Sequence, residues 1–182
     1  MNLIKTEIEG LVILKPRIYN DQRGSFMESY NKKNINKLIG NINFLQDNES
    51  ESTKGVLRGL HFQNPPYTQA KLVRCLKGSV LDVVLDLRKH SKTYGIFETI
   101  SLTEENKKQL FIPKGFAHGF IVLSKSAILS YKVDNYYNPE SESGIIWNDP
   151  DLNIDWKINK NEIIVSEKDK NLPAFNEIIN PF

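Results

Sequence analysis

Apolar residues recur along this chain in short runs and alternations, and only once at helical spacing. Alternation of period two marks strands that bury one face, whereas helices repeat every three to four residues. The clearest alternation is Ser79–Leu87, where Leu81, Val83, Leu85 and Leu87 interleave with Val80, Asp82, Val84 and Asp86. The one helical pattern is Lys32–Ile39, with Ile35, Leu38 and Ile39. Ahead of it, Leu3–Leu14 reads as strand material interrupted by Gly10, Asp21-Gln22-Arg23-Gly24 as a turn, and Ser25–Tyr30 as a short strand. Phe44–Ser50 predicts a strand running into a polar loop. Lys54–Gln63 predicts a strand closed by Asn64-Pro65-Pro66. Gln69–Leu76 and Ser79–Leu87 flank Lys77-Gly78, a hairpin signal. Further strands fit Gly95–Leu102, Lys108–Ile112, Gly119–Leu123, Ala127–Val133 and Ile145–Trp147. Ile163–Val165 is a candidate strand, and Ser166–Leu172 a turn or short helix. Many short strands with Gly/Pro punctuation and little helix predict an all-β sandwich or barrel.

The 182 residues suit one domain spanning 1–182. A charged share of 25% argues against a membrane protein, and 40% apolar residues against a disordered chain. The longest strictly apolar runs, Leu11–Leu14 and Phe120–Leu123, fall far short of the roughly 20 residues of a spanning helix. The opening MNLIKTEIEG lacks a basic segment followed by an apolar stretch, so no signal peptide is expected and the expected location is cytoplasmic. A single Cys, Cys75, excludes an intramolecular disulfide and a Cys-based metal cage. A net charge of +2 gives no support to nucleic-acid binding. Basic residues are lopsided: five Arg stand among 24 Lys and Arg. Where Lys is the default cation, the few Arg mark places that need a planar, bidentate donor.

Chemistry concentrates around two of the three His. His61 stands in Arg58-Gly59-Leu60-His61-Phe62-Gln63 and His118 in Pro113-Lys114-Gly115-Phe116-Ala117-His118-Gly119-Phe120. The third, His90, lies in a polar stretch and reads as solvated. Pro-x-Gly-x-x-His resembles the second metal motif of cupins, small jelly-roll barrels. The first cupin motif would supply His-x-His and a Glu, but Gln63 follows His61-Phe62, and Lys71 lies where no Glu occurs. An ammonium beside two imidazoles opposes a divalent cation, so a cupin barrel without metal or other cofactor is expected. Asp82 shares a strand face with Val80 and Val84, where it either points inward to orient His118 or faces solvent. Cys75 reads as a small buried hydrophobe.

The wording around these His is more specific. Gln46-Asp47-Asn48, Lys54–Gln63, Gln69–Arg74, Asp86-Leu87-Arg88, Ile112–Phe120, Tyr131-Lys132 with Tyr136-Tyr137, Trp147–Pro150 and Ser166–Asp169 together resemble dTDP-4-dehydrorhamnose 3,5-epimerases, in the same order. The resemblance runs from about Leu11 to Asp169, and nothing is assigned to the tail beyond. It implies a metal-free, homodimeric, cupin-type jelly-roll enzyme. Its substrate would be a dTDP-4-keto-6-deoxy sugar, epimerised at C3 and C5 for cell-surface polysaccharide synthesis. It implies His61 as base, Asp169 as the acceptor that fixes its tautomer, Lys71 as enolate stabiliser, Tyr131 as proton donor on the opposite face, and His118 near the enolate. For the nucleotide it implies Arg23 and Arg58 at the diphosphate, Phe26 stacking on thymine, and Glu28 at the base edge or deoxyribose. Gln46, Asp47, Asn48, Tyr137, Glu142 and Lys168 are further substrate positions, with Arg23, Phe26 and Glu28 crossing from the partner subunit.

These roles suit the chemistry. C3 and C5 both flank the C4 ketone, so their protons are acidified by enolate resonance. Inversion needs a base on one face, a positive group at the carbonyl oxygen and an acid on the other face. The rival readings are a mono-epimerase or 3,4-ketoisomerase acting on the same sugar nucleotide, a metal-dependent cupin, and a non-catalytic sugar-binding cupin.

Overall fold

The alternations become two facing sheets in the computed structural model, which describes residues 1–182. In chain order the strands are β1 (Asn2–Lys5), β2 (Val12–Lys15), β3 (Tyr19–Asp21), β4 (Gly24–Phe26), β5 (Gln46–Thr53), β6 (Leu57–Gln63), β7 (Lys71–Lys77), β8 (Ser79–Asp86), β9 (Phe97–Thr103), β10 (Gln109–Ile112), β11 (Phe116–Val122), β12 (Ser126–Val133) and β13 (Glu142–Gly144). Helix α1 spans Lys32–Ile39 and the short α2 spans Glu167–Lys170. One sheet has the order β1-β2-β10-β7-β12-β5, the other β13-β6-β11-β8-β9, and β3-β4 form a separate hairpin. Neighbouring strands pair antiparallel throughout both sheets. This is an all-β sandwich with few helices, as the patterning predicts, and of the jelly-roll type that the resemblance implies.

The core lies in three layers. Val73 and Cys75 of β7, Val80 and Val84 of β8, and Phe116 and Phe120 of β11 meet between the sheets. On the outer face of the five-stranded sheet, Leu81, Val83 and Leu85 are covered by the C-terminal segment through Leu152, Trp156 and Phe182. On the outer face of the six-stranded sheet, Leu14, Leu72 and Phe111 are covered by Ile35 of α1. Strand β8 is therefore buried on both faces, which accounts for its near-continuous apolar run. Each fully buried Val or Leu there contributes roughly 1.5–3 kcal/mol relative to exposure. Helix α1 begins where Asn31 Oδ1 accepts from Asn34 N and ends at Gly40, within the predicted bounds. No helix is long and apolar enough to cross a membrane.

Three expectations change. Strands β7 and β8 do not form a hairpin: β7 pairs with β10 and β12, whereas β8 pairs with β11 and β9. Lys77-Gly78 instead carries the chain from one sheet to the other. Gly78 adopts φ +73°, and a Cβ there would lie 2.1 Å from Ser126 O, so the crossing is packed against the start of β12. Second, the strand expected over Phe44–Ser50 starts later, at Gln46, and does not give way to a loop after Ser50, since β5 runs to Thr53 in register with β12. Third, the strand placed at Ile145–Trp147 lies earlier, at Glu142–Gly144, although Ile145 still exchanges backbone hydrogen bonds with Leu60. Residues 163–165 contribute only an isolated parallel bridge between Ile164 and Val56. Cys75 is buried in the inter-sheet core, and burial pushes its thiol up to about 11.

Candidate active site between the sheets

A cleft of about 560 Å³ opens between the two sheets. The five-stranded sheet contributes Arg58 and His61 from β6 and His118 from β11. The six-stranded sheet contributes Ser50 from β5, Lys71 from β7 and Tyr131 from β12. Glu142 of β13, Ser166, and Lys168 and Asp169 of α2 close the rim. An adjoining lobe of about 310 Å³ shares His61, Lys71, Tyr131 and Glu142 and adds Gln46, Asn48, Gln63, Gln69 and Tyr137.

The two imidazoles face each other across one strand pair, His61 opposite His118 in the β6–β11 register. Each is held by its own carboxylate. His61 Nε2 donates to Asp169 Oδ1 at 2.8 Å, and His118 Nε2 donates to both Asp82 oxygens at 3.0 Å. An ionised carboxylate only accepts, so the proton sits on Nε2 and Nδ1 of His61 is the free, basic nitrogen. Burial alone would raise the Asp169 pKa, but the His61 contact and the donors Gly59 N and Ser166 outweigh it and hold it below the usual carboxylate value. Burial lowers the His118 pKa; Asp82 opposes this, while Lys71 and His61 add to it. Asp82 thus takes the inward of its two readings.

Lys71 makes no ion pair within 4 Å, so its ammonium is not neutralised locally. Its side chain is half-buried, set deep in the cleft, and burial brings its pKa down to about 8, against the pull of Asp82 and Glu142. It stays charged at neutral pH as a poorly compensated cation. Burial also raises the Tyr131 pKa, with Arg58 opposing and Glu142 reinforcing, so the phenol remains protonated. No group of three or more His, Cys, Asp and Glu side chains is placed to hold a metal ion.

At the mouth, Lys168 Nζ donates to Glu142 Oε2 at 2.5 Å, and Tyr137 OH donates to the same oxygen. Gln46 Nε2 donates to Asn48 Oδ1 at 2.8 Å, and Gln46 Oε1 accepts from Tyr137 N. Behind the cleft wall, buried Ser52 Oγ accepts from Arg58 Nη2 at 3.2 Å and Nε at 3.3 Å.

The family profile described as dTDP-4-dehydrorhamnose 3,5-epimerase matches residues 5–177. The Shigella flexneri protein of that description is 51% identical over 176 residues, covering 96% of either chain. The chain belongs to the dTDP-4-dehydrorhamnose 3,5-epimerase family. Its fold agrees: the crystal structure of the Elizabethkingia anophelis epimerase superposes with TM-score 0.94 at 50% identity, covering 99% of this chain and 98% of that one. The Legionella pneumophila epimerase, solved in complex with dTDP-4-keto-L-rhamnose, gives TM-score 0.93 at 48% identity, covering 97% of this chain and 94% of that one.

Within this epimerase fold, most of the anticipated site residues converge. His61, Lys71, His118, Tyr131, Asp169, Arg58, Glu142, Lys168, Gln46, Asn48 and Tyr137 all line the two lobes. Asp47 does not. Strand alternation turns its side chain to the outer face, where it accepts from Lys132 Nζ at 2.7 and 2.8 Å. Arg23, Phe26 and Glu28 also lie outside the chain's own cleft. Arg23 pairs with Asp21 on the exposed β3–β4 hairpin, Phe26 is 68% exposed beside Tyr19, and Glu28 accepts from Asn31 and Asn34 near α1. Trp147 packs partly buried against the C-terminal cluster rather than in the cleft.

Ser50, Ser52 and Ser166 were not anticipated. Ser50 and Ser52 are in phase with Gln46 and Asn48: Ser50 lies inside the strand expected over Phe44–Ser50, where alternation alone places it on their face, and a strand assignment through Thr53 would have added Ser52. Arg58 and His61 are three apart, a spacing that puts residues on opposite faces of a regular strand. They share the cleft because the β6–β11 register shifts between His118 and Phe120, beside Gly59 at φ +110°.

Proposed function

We propose that this cleft epimerises C3 and C5 of dTDP-4-dehydro-6-deoxy-D-glucose, giving dTDP-4-dehydro-L-rhamnose. The observation that carries the reading is the division of labour between the walls. The five-stranded sheet presents His61 and His118, and the facing sheet presents Lys71 and Tyr131. A sugar ring lying between them meets a base on one face and a phenol on the other. His61 Nδ1 removes the proton from C3 or C5, and the electron pair moves into the C4 carbonyl as an enolate. The Lys71 ammonium, uncompensated by any carboxylate within 4 Å, stabilises the oxygen where charge develops. Tyr131 then delivers a proton from the opposite wall, inverting the carbon. Asp169 keeps Nδ1 unprotonated and stabilises the imidazolium formed. One base and one acid serve both carbons, since each flanks the same carbonyl.

NMR of dTDP-4-keto-6-deoxyglucose incubated with the protein in D2O tests this. Deuterium is expected at both C3 and C5 of the product. Incorporation at a single carbon would favour a mono-epimerase, and none at either carbon would overturn the reading.

The dimer belongs to the same proposal. Every residue of β3 and β4 is exposed, and the hairpin pairs only with itself. An aromatic pair with an Arg at its tip is an unusual thing to leave in solvent. We infer that it reaches a second copy, where Arg23, Phe26 and Glu28 complete the partner's nucleotide site. Two-fold symmetry makes such an exchange reciprocal. Mixing His61→Asn protein with Arg23→Ala protein should restore activity after subunit exchange, because one of the two sites in a mixed dimer is then intact. Confirmed mixed dimers that stay inactive would rule the shared site out.

A further inference from the structure

Ser50 lines the main lobe of the cleft, and its buried Oγ, one rotamer turn from the cleft space, hydrogen-bonds to no group of the chain. A buried hydroxyl without a partner is uncommon and destabilising, which points to a bond made only when the cleft is occupied. Its neighbours on the same face of β5 are already engaged. Gln46 and Asn48 bond to each other, and Ser52 accepts from Arg58 through Nε and Nη2. That brace fixes the guanidinium on one side and leaves Arg58 Nη1 without a hydrogen bond in the chain.

The two lobes differ in charge. The main lobe adds Arg58, Lys168 and Asp169 to the shared Lys71 and Glu142, whereas the smaller one adds amides, Phe62 and Tyr137 and no further charge. Ser50 lines the main lobe alone. On the reading that the cleft takes a dTDP-sugar, the anionic diphosphate belongs in the main lobe, where Arg58 has no carboxylate partner and Lys168 is paired only with Glu142. We infer that Ser50 Oγ donates a hydrogen bond to the diphosphate oxygens held at Arg58, a role that no motif in the chain announces. A hydroxyl bonded to an anionic oxygen is a charge-assisted contact and about twice as strong as a neutral one. Serine contributes it without adding charge beside Tyr131 and Lys71, whose protonation the reaction needs.

Ser50→Ala separates this from other roles, using calorimetric titration with dTDP and with thymidine, which lacks the phosphates. Binding of dTDP should weaken about tenfold, the scale of one hydrogen bond to a charged group. Thymidine affinity should match wild type, and Tm should not fall, because the lost hydroxyl leaves no protein group unpaired. Wild-type dTDP affinity in the variant overturns the inference. So does an equal loss for dTDP and thymidine, which would place Ser50 at the nucleoside. A raised KM for the sugar nucleotide with unchanged dTDP binding would place Ser50 at the sugar, and also overturns it. Wild-type protein that fails to bind dTDP at all would instead count against the epimerase reading itself.

Discussion

His61→Asn is expected to lower solvent exchange at C3 and C5 together by roughly 10²–10⁴-fold, the usual contribution of a general base. The shorter amide stops at the position of Nδ1, so it loses the Nε2 contact to Asp169 and has no basic nitrogen to accept a carbon-bound proton. Both carbons should fall together because one imidazole serves both. Binding of dTDP should survive, since Arg58 and the mouth residues Glu142 and Lys168 are untouched. Asp169 is 5% exposed at its side chain and receives further donors from Gly59 N and Ser166, so the pocket should hold its shape. The measurement is deuterium incorporation by NMR beside a dTDP titration. A variant that retains more than a tenth of wild-type exchange, with normal nucleotide binding, would remove His61 from the role of base.

Tyr131→Phe separates the two half-reactions. The ring stays between Val73 and Asn48 in the sheet register, and only the hydroxyl is lost. His61 can still remove a proton and return a deuteron to the same face, because its side chain is 27% exposed and can exchange with solvent. Exchange in recovered substrate should therefore persist within a few-fold, while L-configured product falls by roughly 10²-fold or more. Burial is what keeps this phenol protonated while it waits, since it raises a pKa that already lies well above neutral. Parallel loss of exchange and product would mean that Tyr131 does not act as the opposite-face acid.

Sequence and tertiary structure contribute differently to this account. Helix α1 was legible because its signal is local, the Ile35, Leu38 and Ile39 stripe; the Asn31 cap and the Gly40 end came from the structure. Strand β8 was legible because alternation over eight residues fits a period of two and cannot keep one face apolar at a period of 3.6. The polar strand β5 was legible only in part. QDNESEST has no apolar residue, since one face lines the cleft and the other meets solvent, so no hydrophobic phase marks it. Its second half is a strand because β12 pairs with it, a non-local cause. That shortfall hid Ser52, whereas Ser50 and the outward turn of Asp47 lay within the strand expected over Phe44–Ser50 and were missed because the alternation there was not followed.

By itself, the sequence determined the class of the fold and, through motifs that resemble one enzyme family, which side chains to look for in the cleft, because strand periodicity and motifs are carried by neighbouring residues. Only the tertiary structure decided how they are shared between walls. Alternation tells which residues share a face but not which strand lies opposite, so β7 and β8 read as a hairpin although they belong to different sheets. The inward turn of Asp82, the irregularity at Gly59 that brings Arg58 and His61 to one surface, and the meeting of Asp169 with His61 across 108 residues all depend on which strands pack together. Those long-range contacts have no signature in any local window, because they are selected by burial and hydrogen bonding of the whole sandwich at once.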